Sequence, residues 1–394
     1  MKKNIVSAIA LFLALWLLIP IRGDAAESLM EAGLTLPTTE LSLPCRGAIL
    51  IEQTTGTVLY EKNADESLPI ASVTKIMTLL LTMEAIEKGV LSEDQSISVS
   101  ENAASMGGSQ IFLEPGEVIS LHDLLKAVFV SSANDGAVAL AEAVSGSVEG
   151  FVDAMNQKAR ELGMKDTVFY NPTGLDDEKT NVASARDVAL MSAALLSYEK
   201  TYDYTTLWTD SVRDGAFGLS NTNKLIRFYP GATGLKTGYT AKAKFCVSAS
   251  AERNGLKLCA VVLAGESSAE RFRAAKTLLD HGFSNFAYYC PDDLSLPEIP
   301  VWGGKAEKIT LCCEDPAVLL TKSDAAGLTP VITAAEELFA PVEKGQIVGK
   351  ISYCKGGASI YEIPLTAAEA VEALDFWDLF FLLCRNFFTG SGKS

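Results

Sequence analysis

Two apolar, β-rich runs flank Thr55-Gly56 in residues 47 to 62, "GAILIEQTTGTVLYEK", and predict a hairpin. A second pair fills residues 244 to 265, "KFCVSASAERNGLKLCAVVLAG", where Asn254-Gly255 supplies a tight turn. Between the two pairs the pattern becomes helical. Residues 70 to 87, "IASVTKIMTLLLTMEAIE", predict a very apolar helix starting near Ser72, and the stretch from Leu121 gives two helical patterns broken by the small polar run Ser131 to Gly136. Val148 to Gly163 reads as an amphipathic helix, "NPTGLDD" at 171 to 177 as a turn cluster, and Ala269 to His281 as another helix. Strands at both ends of a helical middle predict an α+β domain whose terminal strands share one antiparallel sheet.

After Pro291 the pattern changes to short β-rich pieces, "EKITLCCED" and "GQIVGKISYCKGGASIYEIPL", which predict a second, smaller all-β domain. The expected organisation is a leader over 1–25, a main domain over 26–285, the β-rich domain over 286–372 and a terminal helix over 373–394. The leader is read from Met-Lys-Lys, the apolar run Ile5 to Ile21 and the small-x-small site Gly23-Asp24-Ala25; the run is short for a membrane span. The last segment, "DFWDLFFLLCRNFFTG", is also too short to span a bilayer. It is rich in aromatic residues, as expected of a helix lying in a membrane surface, or of one docked on protein.

Removal of the leader takes the formal charge from −16 to about −18, so an exported, acidic chain is a poor candidate for nucleic acid. Eight cysteines at irregular spacing give no disulfide scaffold and no CxxC pair. Two histidines, His122 and His281, fit neither an HExxH zinc site nor a Ser-His-Asp triad, and neither metal nor organic cofactor is implied.

Ser72 and Lys75 stand three places apart at the expected helix start, where their side chains are neighbours. Either Ser72 caps the helix and Lys75 reaches water, or a lysine kept neutral by burial and the helix dipole takes the serine's proton. In the second case the Ser72 backbone N–H is one donor to a developing oxyanion. Ser132-Ala133-Asn134 falls in the break between helical patterns, where hydroxyl and amide can face a cleft. Lys236-Thr237-Gly238 opens a strand along which a substrate can lie, because Gly238 has no side chain to obstruct it. Each triplet alone is commonplace, but the ordered set SxxK, SxN, KTG is that of penicillin-interacting serine enzymes.

With "ASVTKIMT", "GGSQIFLEPGE", "SSANDGAVALAE", "NPTGLDD", "GLKTGYT" and "SASAERNGLKL", the chain resembles the D-alanyl-D-alanine carboxypeptidases, low-molecular-mass penicillin-binding proteins, over nearly its whole mature length. The resemblance implies a penicillin-binding/β-lactamase-like catalytic domain, an antiparallel sheet with a helical subdomain. It implies that Ser72 attacks the carbonyl between the last two D-alanines of a peptidoglycan stem pentapeptide, with Lys75 as base. Ser132 relays a proton to the leaving amine, and Asn134 holds the substrate amide. Lys236 and Thr237 hold the terminal carboxylate, with Arg271 near it or else on the surface. Backbone N–H groups of Ser72 and Tyr239 form the oxyanion hole.

β-Lactams are then slow-turnover inhibitors, and the workplace is the outer face of the cytoplasmic membrane, controlling wall cross-linking. Two departures from the family pattern bear on substrate preference: Thr180-Asn181-Val182-Ala183-Ser184 where many relatives carry His-x-Ser-Thr, and Lys244 where glycine is usual. Competing readings are a D,D-endopeptidase or transpeptidase on the same site, a class A β-lactamase, and a non-catalytic wall-binding protein.

Overall fold

The computed structural model describes residues 40–389 apart from 177, 292, 293 and 314–316; the expected leader and residues 390–394 lie outside the described residues. The chain divides into two compact units between Ser284 and Asn285. In the first, β1 (Gly47–Glu52) and β2 (Val58–Lys62) form the leading hairpin, and β3 (Ala232–Thr240), β4 (Lys244–Arg253) and β5 (Leu256–Gly265) come from the far end of the domain. They make one antiparallel sheet in the order β2-β1-β5-β4-β3, with β1 opposite β5 in the register Ile51 to Cys259. The β4–β5 turn has positive φ at both Asn254 and Gly255, the geometry that an Asn-Gly pair favours.

All six residues of β1 are buried, because both faces of the sheet are covered. Ile49, Ile51, Val261 and Leu263 belong to the same apolar core as the helical middle of the domain. The opposite face receives the helix Ser268–Asn285, whose Gly282 lets Leu50 and Leu258 come so close that an added Cβ would meet their methyls at 3.0 and 2.5 Å. Each buried Ile or Leu contributes roughly 1.5–3 kcal/mol of transfer free energy.

At the site the helical middle differs from expectation at two points. The apolar helix α1 runs Lys75–Glu87 and is entered through a 3-10 turn, Ala71–Thr74, so Ser72 precedes the helix and caps nothing. The second break is shorter than the polar run Ser131 to Gly136. The helix Leu121–Lys126 passes into a π-type turn, Ala127–Ser131, and Ser132 takes a left-handed conformation at φ 65°. Then α2 (Asn134–Ser145) begins at Asn134. Asp135 and Gly136 are therefore helical and buried.

The second unit is β-rich. Its largest sheet has four strands in the order Leu311–Cys312, Ala358–Ala367, Ile347–Lys355, Thr329–Ala334, over a small core that includes Ile351, Tyr353 and Leu365. A terminal helix, Phe376–Thr389, leaves Phe376, Trp377, Leu379, Phe380, Phe381 and Leu383 exposed. No helix among the described residues is long and apolar enough to cross a membrane.

Candidate active site

Ser72 sits in the 3-10 turn with Ala71 before it held at φ 47°, and β3 runs alongside so closely that a Cβ on Gly238 would lie 2.6 Å from the Ile70 carbonyl oxygen and 3.1 Å from the Ser72 nitrogen. Gly238 therefore serves a contact other than the expected one: it lets the strand backbone meet the nucleophile turn, which brings the chain at Tyr239 beside Ser72. On the other flank Gly174, at φ 77°, lies against Ala71, and a Cβ there would overlap the Ala71 carbonyl oxygen at 1.9 Å. The serine is thus gripped between two glycine-dependent backbone approaches.

Lys75, completely buried, points back at this turn. Its Nζ lies 3.0 Å from Ser72 Oγ, 2.6 Å from Asn134 Oδ1 and 2.7 Å from the Thr173 carbonyl oxygen. The orientation of the Asn134 amide is fixed by its Nδ2, which donates to the Gly107 carbonyl at 2.7 Å. Burial, reinforced by the positive charge of Lys236 and opposed by Asp135, drives the Lys75 amine well below the ordinary lysine range. A neutral amine has two N–H groups and one lone pair. In that neutral form the two oxygens that can only accept, from Asn134 and Thr173, would take the N–H groups and leave the lone pair for the Ser72 hydroxyl.

Ser132 and Lys236 form the second dyad. The Lys236 ammonium donates to Ser132 Oγ at 2.8 Å and to the Thr237 carbonyl at 3.1 Å, which leaves the Ser132 hydroxyl hydrogen to point elsewhere. Burial first, and then Arg271, push the Lys236 pKa down to about 7. Thr237 donates from Oγ1 to Thr222 Oγ1 at 2.8 Å. Arg271 corrects the surface alternative, since it is only 8% exposed. Its Nη1 donates to the carbonyls of Gly238 and Cys246, so what it grips is the β3–β4 strand pair, and its charge reaches the site through Lys236. Tyr239 has an exposed side chain leaning on Phe245, with ring centroids 4.4 Å apart.

The sequence-predicted residues thus converge, and several unpredicted ones support them. Asp135, fully buried beside Asn134, accepts backbone N–H bonds from Ile111 and Leu113 and so anchors the loop whose Gly107 holds the Asn134 amide. Asn181 is buried and bonded on all sides, and Thr222 continues the Thr237 hydroxyl chain. Their sequence signal is weak, because an Asn in a turn-rich stretch ordinarily reads as a local turn former. Among the described residues no group of three or more His, Cys, Asp or Glu is placed to hold a metal ion.

Comparison with known proteins places the chain in a family. The sequence profile of the family described as D-alanyl-D-alanine carboxypeptidase matches residues 36–267, and that of the penicillin-binding protein 5 C-terminal domain matches residues 290–373. The chain belongs to the D-alanyl-D-alanine carboxypeptidase family. It is 42% identical to the D-alanyl-D-alanine carboxypeptidase DacF of Bacillus subtilis, over 86% of this chain and 89% of that one. Among solved structures it is similar to penicillin binding protein 5 of Haemophilus influenzae, with a TM-score of 0.72 and 28% identity over 85% of this chain and 99% of that one. It is also similar to penicillin-binding protein D2 of Listeria monocytogenes in a cefotaxime-bound form, with a TM-score of 0.58 and 33% identity over 62% of this chain and all of that one. Members of the family are serine-type hydrolases that work through an acyl-enzyme, so the β-lactamase and non-catalytic readings give way to the peptidase one.

Proposed function

We propose that this chain removes the terminal D-alanine from peptidoglycan stem pentapeptides with Ser72 as nucleophile and Lys75 as its base. The observation that carries the reading is the placement of the buried Lys75 amine, whose Nζ lies 3.0 Å from Ser72 Oγ while it is also hydrogen-bonded to Asn134 Oδ1 and the Thr173 carbonyl oxygen. Ser72 attacks the carbonyl between the last two D-alanines while its proton passes to Lys75. Collapse of the tetrahedral intermediate breaks the C–N bond, and the leaving amine takes a proton through Ser132. Water then cleaves the ester and frees the enzyme. Backbone N–H groups of Ser72 and Tyr239 are the proposed oxyanion donors, consistent with the close strand-to-turn approach at Gly238. Lys236 and Thr237 receive the substrate's free carboxylate; Asn134 holds its amide. In a β-lactam the ring nitrogen is the leaving group, and it stays tethered to the acyl-enzyme when the ring opens.

Export by the leader over 1–25 would place the enzyme outside the cytoplasmic membrane, with residues 26–285 as its catalytic part and 286–372 as the β-rich one. Supporting a membrane contact, the terminal helix shows Phe376, Trp377, Phe380 and Phe381 to solvent.

The test is D-alanine release from a synthetic stem pentapeptide by the full mature chain, alongside labelling with fluorescent penicillin. Release and labelling by the parent, both lost in Ser72→Ala and Lys75→Ala, are the expected results. Labelling without D-alanine release would move the reading to an endopeptidase or transpeptidase.

A further inference from the structure

Close to the nucleophile turn, the catalytic account leaves the buried polar side chain of Asn181 unexplained. Asn181 is 1% exposed, yet its carboxamide is saturated: Oδ1 accepts from the backbone N–H groups of Tyr170 at 2.7 Å and Asn171 at 3.2 Å, and Nδ2 donates to the Asn171 carbonyl at 2.8 Å and to Thr74 Oγ1 at 3.0 Å. The first three bonds fix the start of the turn 171–175. The fourth ties that turn to Thr74, the last residue of the nucleophile turn and the one before Lys75. Asn171 continues the frame, since its Oδ1 accepts from Thr173 N, Thr173 Oγ1 and Gly174 N. The Pro172 carbonyl accepts from Thr78 Oγ1 one turn along α1. All of this bonding bears on one atom that the chemistry uses, the Thr173 carbonyl oxygen 2.7 Å from Lys75 Nζ.

We infer that Asn181 is a positioning residue for the general base: through Thr74 and the 171–175 turn it holds the Thr173 carbonyl where it takes one N–H of Lys75 and so aims the amine's lone pair at Ser72. The inference rests on the proposed roles of Ser72 and Lys75. It assigns a function to one of the positions at which this chain departs from the family pattern it resembles. The consequence is kinetic. If the carbonyl drifts, the amine still deprotonates but spends time with an N–H instead of its lone pair toward the serine, so the rate falls even where every Lys75 is neutral. Misplacement of a reacting group on the scale of an ångström can cost about 100-fold.

A mere change in Lys75 basicity would behave differently. The charged groups that act on Lys75 are Lys236 from the strand side and Asp135 from α2, and neither is touched by changes at Asn181 or Thr74. Altered basicity slides the pH–rate profile sideways and leaves its plateau intact.

The experiment measures acylation by fluorescent penicillin against pH, with thermal midpoints, for the parent, Asn181→Ala, Thr74→Val and the double variant of the full mature chain. Thr74→Val keeps shape and guards against a fold that Asn181→Ala might not tolerate. The expected result is a 10- to 100-fold lower plateau in each single variant, and a double variant no slower than Asn181→Ala, since both changes cut the same strut. A plateau equal to the parent's with a displaced limb, or a rate loss that follows only the unfolded fraction, would overturn the inference. A parent that forms no adduct would sink the acyl-enzyme reading itself, whereas variants matching a competent parent would sink the positioning role alone.

Discussion

At the scale of single residues, two serines and two lysines would be ordinary without the backbone that presents them. Gly174 is a sharp instance: its φ is in the region that favours glycine, and its missing Cβ is replaced in space by the Ala71 carbonyl. Gly174→Ala must therefore push the 171–175 turn off the nucleophile turn. A loss of at least about 2 kcal/mol of stability, together with acylation reduced more than tenfold, is expected, and chemical denaturation with penicillin labelling will measure both. The two lysines make the second residue-scale prediction. Acylation needs Lys75 neutral, so its rate rises with pH through that group's lowered pKa. Carboxylate binding needs Lys236 charged, so kcat/KM of the free enzyme falls as pH rises through about 7. A bell-shaped kcat/KM profile whose alkaline limb vanishes in Lys236→Met, at low residual activity, is the expected record.

Elements were legible in the sequence to the extent that their stability is local. The Asn254-Gly255 hairpin and the apolar helix after Ser72 follow from turn chemistry and hydrophobic period, and the SxxK, SxN and KTG residues follow from motif order. What stayed hidden depends on partners far apart in the chain. The 3-10 turn at Ala71–Thr74 exists because Gly174 and Gly238 press on it from segments roughly 100 and 160 residues away, a tertiary demand that overrides helix propensity. Asp135 looked like part of a polar break and is instead a buried anchor for residues 111 to 113. Asp135→Ala should free that loop and, through Gly107, the Asn134 amide. Acylation is expected to fall about 10- to 100-fold, with raised backbone exchange confined to residues 107–113 in hydrogen-exchange measurements. The terminal helix poses the same question of context: its Phe376, Trp377, Phe380 and Phe381 are exposed and in ring contact with one another, and deletion of residues 375–394 should move the mature chain from the membrane fraction to the soluble one on cell fractionation.

At the scale of the whole molecule the site works against the fold. Lys75 and Lys236 are both buried within a few ångströms of the reacting serines, and both are driven below the usual lysine pKa by desolvation, to about 7 for Lys236 against an ordinary 10.5. Between those values the unfolded chain binds a proton that the folded chain does not, so the stability contributed by this group increases with pH across that window. At neutral pH the penalty of Lys236 alone is on the order of 3–5 kcal/mol, since one pKa unit corresponds to about 1.4 kcal/mol. Lys236→Met removes the penalty along with the hydrogen bond to Ser132. The variant should be more stable than the parent at pH 7, on the order of 2 kcal/mol after the lost bond is counted, while losing most of its acylation. The advantage must shrink as pH approaches 10, because the parent's unfolded lysine then sheds its proton too. Urea denaturation at pH 7 and pH 9.5 reads the difference directly. A variant less stable than the parent at both values would mean that the lysine is held charged by the fold, and the account of a desolvated, weakly basic Lys236 would have to be given up.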